Sequence, residues 1–361
     1  MTRFEDFDWS KLRKNYELWY QNKLGRPIVP IEIKKEASDR DESPYPMLNF
    51  ISAADFSVTP KQLIDRLDYE LSKTEYMGEG FPHIGTQAFG AGVTAAFLGC
   101  ELHARKETTW FAPAMELPIQ ELHFEYDPDN IWLRRVKDVY IEGMEKWHGN
   151  VVMGMTDLGG VLDILASFRT TEGLLFDLYD NPDEVLRCVR EIQTMWFRYL
   201  NEIIDIMKSE AQGYTSWCNI YDPEPTYILQ SDFCYMISNE MFNEFVGPEL
   251  KSSAERLHRP FYHLDGIGEL KHLDSILKID AFAGVQWGPG DGPYKDKDWS
   301  EIHKRITSAG KKMYIWCEPK LLKQLIDLVT GDMIFNTGYT VNQTDLPAKL
   351  EALKRIGIEN L

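Results

Sequence analysis

Several features are missing from the sequence, and each absence removes a class of protein. No apolar run comes near the ~18 uninterrupted residues of a membrane-spanning helix, so no transmembrane segment is expected. The opening Met1-Thr-Arg-Phe-Glu-Asp-Phe-Asp-Trp-Ser10 is acidic and amphipathic, unlike a secretory leader, so no signal peptide is expected either. Cysteine is scarce: Cys100, Cys188, Cys218, Cys234 and Cys317 are odd in number, far apart and never arranged as Cys-x-x-Cys. That pattern argues against a disulfide framework and for reduced thiols in a cytoplasm. Positive charge is in deficit, with 39 Lys and Arg against 57 Asp and Glu, for a net charge of −18. A nucleic-acid binder needs a basic face, so the expected partners are a small molecule or another protein. No Gly-x-Gly-x-x-Gly follows an apolar run, which weakens a dinucleotide-binding reading.

What is present is the pattern of a large globular protein. At 361 residues the chain is long for one core unless that core is a large α/β barrel with additional helices. Residues 8–25 carry an apolar stripe of Leu12, Tyr16, Trp19 and Tyr20, which predicts a helix ending at Gly25. A first strand is expected over residues 27–33, then a long polar loop over 34–58. Thr59-Pro-Lys-Gln62 is a capping box that opens a helix to about Tyr76. Residues 81–87 read as a short strand and polar loop, residues 90–98 as a small-residue helix, and residues 100–128 as an excursion of extended segments.

From residue 129 the rhythm becomes regular. Helices are expected over 131–147, 162–168, 181–209 and 238–258. Between and beyond them, strands are expected over 150–157, 213–218, 260–265, 279–287, 312–317 and 333–337. Strand and helix alternate through the whole second half, which predicts a single (β/α)8 TIM barrel over 1–361. Extra N-terminal helices and one inserted extended segment complete it.

Candidate chemistry lies where predicted strands end, because those ends face the active site of such a barrel. The central stretch is Arg259-Pro-Phe-Tyr-His-Leu-Asp-Gly-Ile-Gly268, an apolar run closing on His263 and Asp265. Two residues apart in an extended chain, their side chains point the same way. Such a pair can bind a metal, or move a proton with the carboxylate orienting the imidazole. Asp157, before Gly159-Gly160, is an acid, base or ligand, or else a cap for the next helix. His83 and Gln87 occupy another strand-to-helix junction. Trp217, Trp287 and Trp316 fall at strand ends and are candidate walls of an apolar pocket, with Gln286 beside Trp287. Asp232 and Cys234 lie in a loop after the strand at 213–218.

Over roughly residues 60–361 the order of elements and several phrases resemble the uroporphyrinogen decarboxylase superfamily. The phrases are Asn181-Pro-Asp-Glu-Val185, Ser231-Asp-Phe-Cys234, Ile237-Ser-Asn-Glu-Met-Phe-Asn-Glu-Phe-Val-Gly-Pro248, His263-Leu-Asp-Gly266 and Gly338-Tyr-Thr-Val-Asn-Gln-Thr-Asp-Leu-Pro347. The resemblance implies a (β/α)8 barrel. It also offers two activities: cofactor-free decarboxylation, or methyl transfer involving a corrinoid carried by a separate protein and a zinc ion in the barrel. Members that decarboxylate porphyrinogens grip several carboxylates with an arginine-rich motif after the first strand. Here Glu32-Ile-Lys-Lys-Glu-Ala-Ser-Asp-Arg40 lacks it, which turns the resemblance towards the methyltransferase branch. That branch has His-x-Cys where this chain has His263-Leu-Asp265, and Gly-Cys where it has Gly338-Tyr339. The implied zinc donors become His263, Asp265 and Cys317, with Cys234 in reserve, and Tyr339 becomes a substrate-side candidate. The expected function is methyl transfer between a corrinoid protein or a methylated small molecule and an acceptor. The alternatives are a metal-independent decarboxylase acting on a small acid, and a non-catalytic ligand-binding barrel.

Overall fold

The computed structural model describes residues 4–38, 40–290, 294, 297–359 and 361. The chain is a mixed α/β protein built on parallel strands. Helix Trp9–Tyr20 comes first, capped by the Asp8 carboxylate on the Lys11 N–H at 2.9 Å. Strand β1 (Pro30–Lys34) and strand β2 (Thr74–Gly78) run antiparallel, Ile31 facing Met77. Between them lies helix Pro60–Ser72, opened by the expected capping box: Thr59 Oγ1 accepts from Gln62 N at 3.3 Å, and Gln62 Oε1 accepts from Thr59 N at 2.9 Å. This helix stops at Ser72 rather than near Tyr76, because residues 74–78 complete the ladder of β1. The loop before it is not loose. Arg135 donates to the carbonyls of Ser52, Ala53 and Asp55, each at 3.2 Å, and pins it to helix Ile131–Trp147.

Strand β3 (His83–Ile84) follows, then a hairpin of β4 (Glu101–Ala104) and β5 (Thr109–Ala112), the inserted extended segment. The alternating residues 122–126 form no strand. Strand β6 (Val152–Met153) pairs parallel with β3. Of the small-residue helix only Thr94–Phe97 is helical, and the glycines before it serve a close approach instead. Gly92 and Gly159 both have positive φ, and a Cβ on Gly159 would sit 2.5 Å from the Gly92 Cα.

The longest helix, Pro182–Met207, buries Val185, Val189, Ile192, Trp196, Tyr199 and Ile203 along one stripe. Asn181 does not cap it. Its amide donates instead to Asp177 at 3.1 Å, leaving Asp183 and Glu184 to favour the helix start through the dipole.

Strand β7 (Ile228–Leu229) opens a five-stranded parallel sheet with β8 (Phe261–Asp265), β9 (Gly284–Gly288), β10 (Lys312–Ile315) and β11 (Ile334–Asn336), in that order. Residues 213–218, expected as a strand, make only an isolated antiparallel bridge between Tyr214 and Asp222. The member of the sheet beside β8 is β7, from a stretch read as loop. The ladder continues past β11: Ile28 N donates to Ile334 O at 3.2 Å, and β12 (Tyr339–Asn342) pairs parallel with β1. On the other side Met155 N donates to Thr215 O at 2.8 Å, next to β6.

Two hydrophobic clusters result. The smaller collects Ile28, Phe81, Val152, Ile228, Phe261, Tyr314 and Phe335 from separate strands or their flanks, with Trp9, Leu12, Tyr16 and Trp19 of the first helix packed on them. The larger fills the space between the strands and the surrounding helices. Among the described residues no helix is long and apolar enough to cross a membrane.

Candidate active site at the strand ends

Strand alternation sets the site. Phe261, His263 and Asp265 leave β8 on one face, and Phe261 belongs to the small inner cluster, so His263 is the next layer above it and Asp265 the layer above that. The pairing places Gln286 of β9 opposite His263. Gln286 Oε1 lies 2.8 Å from His263 Nδ1, so Nδ1 donates this hydrogen bond and Nε2 is left free of Gln286. The Cys218 thiol donates to the same oxygen at 3.6 Å. Burial raises that thiol well above its ordinary range, so it remains a donor. The Trp217 ring meets His263 edge-to-face at 5.1 Å and 88°. The Trp217 carbonyl takes the Gln87 amide at 2.6 Å, which ties that loop to the one after β3. His263, Gln286, Trp217 and Gln87 are therefore brought together.

Carboxyl groups crowd the same end. Asp157 accepts from Gly159 N at 2.9 Å, the turn expected of a cap. Burial nonetheless pushes its carboxyl up to about 7, with the charge of Asp232 adding to the effect and the Gly159 N–H opposing it. Asp232 is raised by dehydration, is relieved by His263 and is pushed further by Asp265.

Two acids that sequence reasoning missed complete the group. Asp163 accepts from the backbone N–H of Asp232 at 3.0 Å and of Phe233 at 2.6 Å, and burial and Asp232 raise it. Glu269 is pushed up to about 10 by burial, then by Asp232, Asp163 and Asp265, so it is protonated at neutral pH. Asp163 lies inside a helix and Glu269 in a short turn after β8. Only tertiary packing brings them here, and no local pattern marks either one.

Other predicted residues have different surroundings. His83 Nδ1 donates to Phe81 O at 2.9 Å, and its ring packs on Phe81 at 4.8 Å. It lines a separate cavity of about 470 Å³ with Glu32 and Lys34. Trp287 is opposite Leu264, on the face away from His263, and packs edge-to-face on Trp299 at 5.2 Å. It belongs to the larger core and does not wall the pocket. Trp316, one residue beyond β10, is 63% exposed. The Tyr339 hydroxyl is turned into the backbone: it donates to Cys317 O at 2.8 Å and accepts from Asn336 Nδ2 at 2.8 Å.

The expected zinc donors do not fit the ion. Among the described residues no three His, Cys, Asp or Glu side chains converge to hold a metal. Cys317 is buried, its thiol pushed up to about 12 by burial and by Glu318. Cys234 is buried and likewise raised.

No family model matches the chain, and no curated relative matches it. Among solved structures a methyltransferase from Methanosarcina mazei is similar, with a TM-score of 0.60 at 10% identity. The match covers 96% of this chain and 99% of that chain. At that identity the likeness is one of fold.

Proposed function

We propose that the chain is a (β/α)8-type barrel enzyme that moves a methyl group between a methylated small molecule and an acceptor. One observation carries the reading: His263, fixed on a strand end by Gln286, presents an open Nε2 beside Trp217. Closure of the barrel is supported by the inner cluster, which draws on residues from β6, β7, β8, β10 and β11 and from the flanks of β1 and β3. End-to-end likeness to a methyltransferase fold supports the reaction class.

In this reading the methyl group bonds to the acceptor's electron pair, while the bonding pair stays on the donor heteroatom. Asp157, poised near 7, supplies the proton that the heteroatom then takes. His263 holds the reacting end through Nε2, Trp217 forms a wall, and Asp265 stands at the rim. The acceptor belongs to another molecule; a corrinoid protein is the partner the family resemblance suggests, and a net charge of −18 calls for a basic docking face on it. The carboxyl groups at the mouth weigh against the small anionic substrate a decarboxylase would take.

The test uses the purified protein with cob(I)alamin as acceptor and a panel of methylated alcohols, thiols and amines, followed by the visible spectrum of methylcobalamin. Methyl transfer that falls at least about 100-fold in His263→Ala, with the fold intact by circular dichroism, is the expected result. Transfer from no donor, or an unchanged rate in His263→Ala, overturns the proposal.

A further inference from the structure

Three neighbouring strands bring a further side chain to His263. β7, β8 and β9 are consecutive in the parallel sheet, with Ile228 opposite Phe261, Leu229 opposite Tyr262 and His263 opposite Gln286. Ile228 and Phe261 both belong to the inner cluster, whereas Leu229 and Tyr262 both belong to the larger core outside it. Gln230 follows β7 directly, so its side chain returns to the inner side next to His263, with Gln286 on the other flank. We infer that Gln230 and Gln286 grip an uncharged carboxamide group of the substrate across His263.

Gln230 is only 5% exposed, yet its Oε1 has no hydrogen-bond partner. A buried polar atom costs free energy unless it is matched, so this acceptor at the open end of a barrel calls for a donor. Trp217 is a second, independent case. Its Nε1 is buried without an acceptor, and its ring meets His263 edge-to-face at 5.1 Å. Gln286 adds a group whose sense is fixed. Its Oε1 already takes His263 Nδ1 at 2.8 Å and the Cys218 thiol at 3.6 Å, which leaves its amide nitrogen as the end that donates to a ligand. His263 and Gln286 are half-buried, so the row is open to solvent.

These groups select the ligand by what each can and cannot do. Oε1 of Gln230 only accepts, whereas Nε1 of Trp217 and the nitrogen of Gln286 only donate. A cation that only donates would leave both donors unmatched. A carboxylate only accepts, so it would leave Gln230 unmatched, and it would be repelled by Asp232, which senses both His263 and Asp265. A hydroxyl donates and accepts from a single atom. Gln230 and Gln286 stand two strand spacings apart, roughly 10 Å at the backbone. A carboxamide carries its N–H and its C=O on separate atoms and reaches both flanks. Its N–H donates to Gln230 Oε1, and its carbonyl accepts from the Gln286 amide or the Trp217 indole.

The inference rests on the proposed function in one respect, that the substrate binds at this end of the barrel. The carboxamide is the head by which the substrate is held. No bond in it forms or breaks, and the methylated atom lies elsewhere in the same molecule.

The probe is acetamide, titrated into the isotopically labelled full chain while the indole N–H signals are followed by NMR. The Trp217 signal is the one that Trp217→Phe removes. Acetamide should move that signal saturably. N,N-dimethylacetamide lacks the donor, and acetate lacks it and adds a charge, so both should bind at least about tenfold more weakly. Gln230→Leu removes the acceptor and keeps a side chain of similar bulk. It should weaken acetamide by at least about tenfold and leave the urea midpoint unchanged or higher, because an unmatched polar group is gone. Dimethylacetamide binding as tightly as acetamide, acetamide binding unchanged in Gln230→Leu, or a Trp217 signal that acetamide does not move overturns the inference. A Gln230→Leu chain that fails to fold also counts against it, since Gln230 then serves the fold. Acetamide binding without methyl transfer from any donor upholds this inference and sinks the proposed reaction. Methyl transfer at a rate unchanged in Gln230→Leu, with no acetamide bound, upholds the reaction and sinks this inference.

Discussion

At the N-terminal ends of the strands Glu79 is fully enclosed, yet it accepts from Arg26 Nη2 at 2.6 Å, Arg26 Nη1 at 3.0 Å, Asn15 Nδ2 at 2.9 Å and Val29 N at 3.0 Å. Lys312 nearby donates to Trp19 O, Asn22 Oδ1 and Asp332 O at 2.6–2.7 Å, and Lys311 to the carbonyls of Ile279, Asp280 and Phe282 at 2.7–3.1 Å. At the C-terminal ends Gln230, Ser231 and Glu269 each keep a buried atom without a partner, and several acids share one neighbourhood. The same chain that settles buried charge so fully at one pole leaves it unsettled at the other. Unpartnered buried atoms occur at the first pole too, among them Trp9 Nε1 and Tyr16 Oη, so the difference between the poles lies in the crowded carboxyl groups of the second. The first pole holds the first helix against the inner cluster.

The comparison breaks most visibly if Glu79 proves dispensable. Glu79→Ala would leave the Arg26 guanidinium nearly buried without its partner and the Val29 N–H without an acceptor. A loss of about 3–5 kcal/mol is expected, read from the urea midpoint. A loss below about 1 kcal/mol would show that the pole's pairing is ornamental to stability.

The unpaired pole should show the opposite sign, through pH. Asp157 is raised in the folded chain from the ordinary carboxylate range to about 7. Above the unfolded value the folded state binds more protons than the unfolded state. The stability contributed by its neutral form is therefore complete at acid pH and is lost as pH rises towards about 7. Asp157→Asn, which keeps an acceptor for Gly159 N, should flatten that slope. At pH above about 7 it should stabilise the fold by an amount on the order of 2–4 kcal/mol, while activity falls. Thermal unfolding across pH decides it; parallel curves for the variant and the parent would refute the assignment.

How far the sequence reveals these poles depends on whether the signal is local. Helix Ile131–Trp147 is legible to the residue, because Asn130 caps it through Trp132 N and Leu133 N and its apolar period is clean. Strand Phe261–Asp265 is legible from its apolar run into a polar end. Strand Ile228–Leu229 is not, since two residues among Pro223, Pro225 and acids carry no period. Trp287 is misread because an alternating run does not say which of its faces points inward. That follows only once Gln286, rather than Trp287, is paired with His263. Asp163 and Glu269 are illegible because their role consists of long-range contacts with Asp232 and its loop.

The finest test compares two tryptophans, one at each pole. Trp19 Nε1 donates to Ile334 O at 3.1 Å, whereas Trp217 Nε1 is buried with no acceptor. Trp19→Phe deletes a satisfied bond and trims a fully buried ring, and should cost about 1–3 kcal/mol. Trp217→Phe deletes an unsatisfied donor and keeps an aromatic edge for His263, so the two losses should nearly cancel within about 1 kcal/mol. Chemical denaturation of the two variants side by side gives the difference directly. If Trp217→Phe costs as much as Trp19→Phe, the indole of Trp217 has a partner in solution, and the mouth is less open than its geometry implies. If it costs little but weakens ligand binding, the unpaired N–H is held in reserve for the ligand, and the contrast between the poles becomes one of purpose.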